Sequence, residues 1–241
     1  MVTPDLSRRN NISELMDSGE TDFPTFRACL RDLAKVNRLT LAYRPTLNFL
    51  EDLANYGHWP RGHVLKIVDV GSGAGDMLRK IDEWAARRGF KVDLTGVDLN
   101  PWSAQTAREL TSPDRPIRFV TSDIFAYRPA ESPDVVISSL FTHHLDDATL
   151  IEFIKWMETK TRVGWFVNDL RRHPLPYHFF KIASRILRLH YFVQHDGPVS
   201  IARAFDIQDW LRALDAAGIE AATLRPYFPY RLCVARVRRR A

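Results

Sequence analysis

Residues Val68–Asp76 read VDVGSGAGD, an apolar run closed by three glycines at alternate positions. The run starts earlier, at VLKIVDV (Val64–Val70), with Lys66 and Asp69 as its polar residues. A strand this apolar is buried on both faces, as in a parallel sheet covered by helices. Glycine permits positive φ and a close backbone approach to a ligand. In an open parallel sheet that ligand lies beyond the carboxyl ends of the strands, at the switch point. This one turn therefore predicts an α/β architecture and the place of its ligand.

The rhythm after Val64 agrees. Asp76–Arg88 puts Met77, Leu78, Ile81, Trp84 and Ala85 on one helical face, and Gly89 is a suitable stop. KVDLTGVDL, IRFVTSD, DVVISSL and RVGWFVNDL read as further strands. Between them lie PWSAQTAREL, a helix opened by Pro101, and a helix from Asp146 to about Met157. Such alternation implies right-handed crossovers and a mostly parallel sheet. After a helix in FDIQDWLRALDAAGIE, only Pro229 separates AATLRPYF from YRLCVARV, which read as a terminal antiparallel hairpin. The segment before Val64 is apolar at spacings of three and four until Gly57 and Pro60 break it. The expected organisation is a helical cap over residues 1–60 and an α/β domain over 61–241, with a lid-like insertion at about 171–204.

The 241 residues are enough for a substantial core. No run of 18 apolar residues suggests a membrane span, and Met1–Asn10 lacks the apolar middle of a secretory signal. Cys29 and Cys233 are far apart, which fits neither a disulfide framework nor a metal spacing, so a reducing, cytoplasmic protein is expected. The net charge is +5, but the arginines are dispersed. The dense run Arg236–Arg240 reads first as a solvated tail, with a nucleic-acid or membrane contact as the alternative.

The glycine spacing discriminates between ligands. A dinucleotide turn is G-x-G-x-x-G, whereas Gly71, Gly73 and Gly75 form G-x-G-x-G. Asp69 and Asp76 flank the turn; they would repel a pyrophosphate and attract a cation. Asp98 ends the second strand, where a carboxylate can accept ribose hydroxyls. A nucleoside with a positive centre and no phosphate fits best.

VDVGSGAGD, GVDLNP, SDIF and DVVISSLFTHHL resemble the first four motifs of class I S-adenosylmethionine-dependent methyltransferases, and the terminal hairpin matches that family's antiparallel last strand. The resemblance spans roughly residues 64–237. NRLTLAYRPT, NDLRRHPLPYH and HDGPVSIARAF look like small-molecule enzymes of the ubiquinone/menaquinone-biosynthesis type, some of them found beside polyketide pathways. The resemblance implies a Rossmann-like, seven-stranded, mostly parallel sheet with helices on both faces. It assigns Asp69, Gly71, Ser72, Gly73 and Gly75 to the methionine part of S-adenosylmethionine and Asp98 to the ribose, with Leu99 beside the adenine. Asp123 and Ile124 would read the adenine amino group, and a carbonyl at Ser139 or Leu140 would meet the methionine ammonium. Arg44 is a candidate for the methionine carboxylate, and Tyr43 for shielding the sulfonium by a cation–π contact.

Methyl transfer to oxygen requires alignment, exclusion of water and loss of the acceptor's proton. A phenol has a pKa of about 10, so a neutral imidazole nearby is a suitable base. FTHHL sets His143 and His144 at the cofactor mouth, where one of the two is expected to face the pocket. Asp169, ending the fifth strand, is a further candidate base, or an orienter for a histidine. His173, Tyr177, His195 and Ser200 are candidates for contacting the acceptor, the last two at the return of the lid. The favoured acceptor is a hydroxyl of an aromatic, polyketide-like or quinone-precursor compound. Carbon methylation of the same class and RNA or protein methylation are the alternatives. No nucleic acid is expected: an Asn/Asp-Pro-Pro run after strand four, a nucleophilic cysteine and an RNA-binding module are all missing. A peripheral contact with membrane or a lipid-like substrate is compatible with the basic edge of FFKIASRILRLHYFV. No clustered His, Cys and carboxylate spacing suggests a metal.

Overall fold

The computed structural model describes residues 4–10, 12–17, 21–60 and 62–238. The end of the basic run, Arg239 and Arg240, lies outside them, as does Met1–Thr3 of the polar start. Helix α1 (Phe23–Leu39) is capped by the Asp22 carboxylate, which accepts from the Thr25 amide, with Pro24 in its first turn. A short corner leads to α2 (Arg44–Asn55), whose buried face carries Phe49, Leu50 and Leu53. Phe49 stacks on Phe166 with ring centroids 4.6 Å apart, which fixes α2 to the sheet.

The sheet is built from β1 (Val64–Val70), β2 (Lys91–Asp98), β3 (Ile117–Thr121), β4 (Val135–Ser139), β5 (Gly164–Leu170), β6 (Ala222–Tyr227) and β7 (Arg231–Val237). Its order is β3-β2-β1-β4-β5-β7-β6, and β7 runs antiparallel to both neighbours. The strand order reverses at β1 and β4, so the switch point lies at their carboxyl ends. Alternate side chains feed two cores. One contains Ile67, Val135, Ile137, Phe166 and Cys233 under α2 and α3 (Asp76–Arg88); the other contains Val68, Val70, Val136, Val167 and Leu232. The helices of the latter face are α5 (Asp147–Lys160) and α8 (Ile207–Ala216). Helix α4 (Pro101–Glu109) follows β2, its N-cap Asn100 accepting from the Trp102 amide.

The segment expected as a lid-like insertion is a helix pair, α6 (Pro174–Ile186) and α7 (Tyr191–Arg203). Sequence reasoning placed HDGPVS at a return between elements, but His195–Ser200 lies inside α7, with Pro198 in mid-helix. Here tertiary packing overrides the breaker signal: a side chain on Gly197 would collide with the Phe180 ring, so α7 is pressed against α6 at that point.

Candidate active site

The glycine turn has the conformation its composition predicts. Gly71, Gly73 and Gly75 have φ of 70°, 49° and 72°. A Cβ on Gly71 would lie 2.6 Å from the Phe141 ring, and one on Gly75 would lie 2.5 Å from that of Phe119. The Gly71 amide donates to the Val97 carbonyl at 2.9 Å. The Gly73 amide donates to Asp98 Oδ2 at 2.9 Å and the Asn100 amide to Oδ1 at 3.0 Å. Asp98 thus joins the turn to the β2–α4 junction.

Three carboxylates surround this cradle. Asp69 is buried and its Oδ1 has no hydrogen-bond partner among the described residues. Burial, reinforced by Asp76 and Asp98, pushes its pKa well above the ordinary carboxylate range. Burial also raises Asp98, against the opposing pull of the Asn100 and Gly73 amides. Asp76 accepts from the Tyr43 hydroxyl at 2.7 Å and from Asn37 Nδ2 at 3.3 Å. A buried, orphaned carboxylate oxygen among like charges suits a cationic ligand. Ser72 is buried in the turn. Leu99 is 73% exposed beside Asp98, and Ile124 is buried. Asp123 is exposed and accepts from the Phe125 amide. At the end of β4, Ser139 Oγ is buried with no hydrogen-bond partner among the described residues, and Leu140 takes a strained φ of 55°. Arg44 is exposed at the start of α2.

The two histidines differ from expectation. Both turn the same way from the 3-10 turn Thr142–His144, their ring centroids 4.3 Å apart, because the turn presents both rings to one residue, Glu14. His143 Nε2 lies 3.6 Å from Glu14 Oε1 and His144 Nε2 lies 3.9 Å from Oε2. On its other side His143 Nδ1 is 2.8 Å from Asp169 Oδ1. Asp169 also accepts from the Thr142 hydroxyl, the His143 amide and the Leu170 amide. Burial alone would raise the Asp169 pKa. The facing His143, the Thr142 hydroxyl and the Leu170 amide outweigh it and hold the carboxyl well below its ordinary range. Ser200 donates to Glu14 Oε1 at 2.7 Å, so this predicted residue does join the cluster. The ligand atoms of Glu14, His143 and His144 lie within 4.8 Å of one another, a spacing open to proton sharing or to a cation.

Glu14 belongs to an N-terminal strap that sequence reasoning missed; no local signal marks an acidic residue whose partners are over a hundred positions away. Arg9 donates to the Leu145 carbonyl at 2.7 Å and Arg203 to the His143 and His144 carbonyls. The amides of Leu15 and Met16 donate to the Asp196 carboxylate. His195 also pairs with Asp196, at 2.8 Å, outside the Glu14 cluster. His173 caps α6, and Tyr177 is buried against Ile201 and Ala202, so these two are not brought to the histidines.

A family model described as a methyltransferase domain matches residues 67–164. No curated protein matches the chain. Among solved structures, a Nostoc punctiforme PCC 73102 protein named as an O-methyltransferase superposes with a TM-score of 0.56 at 16% identity. That match covers 85% of this chain but only 59% of the other. The plantazolicin methyltransferase BpumL, solved with SAH and a pentazolic desmethylPZN analog, gives 0.63 at 14% identity, covering 90% of this chain and 97% of that one. A SAM-dependent methyltransferase from Aquifex aeolicus gives 0.61 at 15% identity, covering 90% and 98%. Residues 67–164 thus match a methyltransferase-domain model, and the chain shares the Rossmann-like seven-stranded fold of these structures.

Proposed function

We propose that the chain is an S-adenosylmethionine-dependent methyltransferase whose acceptor is a hydroxyl of a small aromatic, polyketide-like or quinone-precursor compound. The observation that carries this reading is the unpartnered Oδ1 of buried Asp69, beside a glycine turn tied to Asp98. That cradle fits a nucleoside with a positive charge and no phosphate. Asp98 would take the ribose hydroxyls, Leu99, Asp123 and Ile124 the adenine, and the Ser139–Leu140 carbonyls the methionine ammonium. When bound, the cofactor supplies an electrophilic methyl group on a sulfonium.

The chain's own residues handle the proton. Asp169 accepts from His143 Nδ1–H, which fixes the tautomer and leaves the Nε2 lone pair to take the acceptor's proton. His144, at its side, orients the acceptor. The strap bearing Glu14 covers both rings and limits access of water. A stripe of Leu175, Phe179, Ile182 and Ile186 on α6 is exposed beside Lys181 and Arg185, which supports an apolar acceptor met at a lipid-like surface. No helix among the described residues is long and apolar enough to cross a membrane. The test is incubation with methyl-labelled cofactor and a panel of phenols. Labelled ether products are expected; intact cofactor binding with no labelled product from any acceptor would contradict the acceptor class.

A further inference from the structure

Arg231 opens β7 beside the carboxyl end of β5, opposite Leu170 in register. It is 3% exposed. Nη1 reaches Asn168 Oδ1 at a long 3.4 Å, and Nε has no hydrogen-bond partner among the described residues. No carboxylate of the described residues forms an ion pair with it. A guanidinium has five N–H donors and stays charged, so burying it with one weak neutral contact is costly. Asp169 attracts Arg231 through space but makes no direct hydrogen bond or ion pair with it; its oxygens accept instead from His143, Thr142 and Leu170.

Arg172 shows how this fold treats an arginine used for structure. It is equally buried, yet it donates to the Leu6 and Ala204 carbonyls and pairs with Asp206 and Asp209. Asn168, which accepts the side-chain hydrogen bond of Arg231, is held rigid by donating to the Ala42 carbonyl at 2.7 Å and to Thr46. Arg231 and Asn168 therefore share the side of the sheet that carries the Ala42–Thr46 corner, next to Tyr43, which in turn bonds Asp76 at the start of α3. An unsatisfied cation sits at the ligand end of the sheet, where Arg44 had been expected to act but is exposed.

We infer that Arg231 is the oxyanion anchor of this pocket and pairs with a carboxylate, carried either by the methionine portion of the cofactor or by the acceptor. The assignment deepens the methyltransferase reading and rests on it for the identity of the two sources. The anchor acts by bidentate hydrogen bonding, which lysine reproduces poorly and methionine does not.

The test uses the full chain and its Arg231→Met and Arg231→Lys variants. Calorimetry compares S-adenosylhomocysteine with 5′-methylthioadenosine, which lacks the amino-acid end; kinetics compare a carboxylated phenol with its uncharged counterpart; melting is followed with and without acetate. If the cofactor supplies the anion, Arg231→Met weakens S-adenosylhomocysteine about 10-fold or more and leaves 5′-methylthioadenosine unchanged. If the acceptor supplies it, both nucleosides bind normally and KM for the carboxylated phenol alone rises about 10-fold, with kcat preserved. In either case the methionine variant melts no lower than the parent, since an apolar side chain replaces an unpaired buried charge. Acetate stabilises the parent more than the variant. A parent that ignores S-adenosylhomocysteine but keeps this Arg231-dependent acetate effect would retain the anchor and sink the methyltransferase reading. Unchanged affinities, KM values and acetate response in Arg231→Met, or a lower melting temperature with every ligand weakened alike, would overturn the anchor.

Discussion

Asp98 accepts a hydrogen bond from the Gly73 amide at 2.9 Å, across 25 positions of chain. The acid assigned to the ribose and the turn assigned to the methionine part are therefore one preformed unit. Asp98→Ala removes the acceptor of both hydroxyls and this brace together. Affinity for S-adenosylhomocysteine is expected to fall about 100-fold or more, as two charge-assisted bonds are lost. Calorimetry checks this; near-parent affinity would displace the cofactor from this cradle.

Gly75→Ala should cost more than Gly89→Ala. Both residues have φ near +70°, but a Cβ at Gly89 meets nothing within 4 Å, whereas one at Gly75 meets the Phe119 ring. Gly89→Ala is expected to lose about 1 kcal/mol of stability from backbone strain, and Gly75→Ala more, from strain and collision together. Urea unfolding of the two variants measures the difference; equal costs would mean that Phe119 moves aside freely.

Asp69 and Asp169 should pull stability in opposite directions with pH. Burial and its acidic neighbours raise the folded-state pKa of Asp69, so its contribution is present below the ordinary carboxylate pKa and is lost as pH rises through the raised value. Asp69→Asn is therefore expected to gain on the parent at neutral pH while losing cofactor affinity. Asp169 is held low despite burial, chiefly by His143, so its contribution persists above the ordinary pKa and is lost only as pH falls through the depressed value. Asp169→Asn should lose about 3–5 kcal/mol at neutral pH by leaving a buried partner unpaired. Denaturant midpoints from about pH 2 to 8, reaching below the ordinary Asp pKa of about 3.9 for Asp169 and above it for Asp69, test both signs.

Much of this was legible because local chemistry and global fold agree. Gly75 and Gly89 bracket α3 at the bounds its apolar face predicted. The terminal hairpin, divided by Pro229, places β7 antiparallel as its short connection required. The parts that escaped are long-range. Glu14 and Arg231 look ordinary in sequence and gain meaning only when the strap crosses the histidines and β7 slots beside β5. Pro198 misled in the opposite way, since close packing of Gly197 on Phe180 holds α7 together through it. Helix α5 runs on to Lys160, past the Met157 expected, because Trp156 and Met157 remain buried and Thr161 closes the last turn on the Met157 carbonyl.

His143→Ala should lower kcat about 10²–10⁴-fold while S-adenosylhomocysteine affinity stays within about twofold. The same rate should survive chelation with EDTA, because proton transfer through His143 and Asp169 requires no ion. A rate abolished by EDTA and restored by zinc would instead assign Glu14, His143 and His144 to a metal.

Calorimetry of the purified chain with S-adenosylhomocysteine and with NADH tests the central claim most directly. The glycine spacing and its ring of carboxylates predict one molecule of S-adenosylhomocysteine bound per chain and no measurable uptake of NADH. Tight NADH binding with indifference to S-adenosylhomocysteine would contradict it.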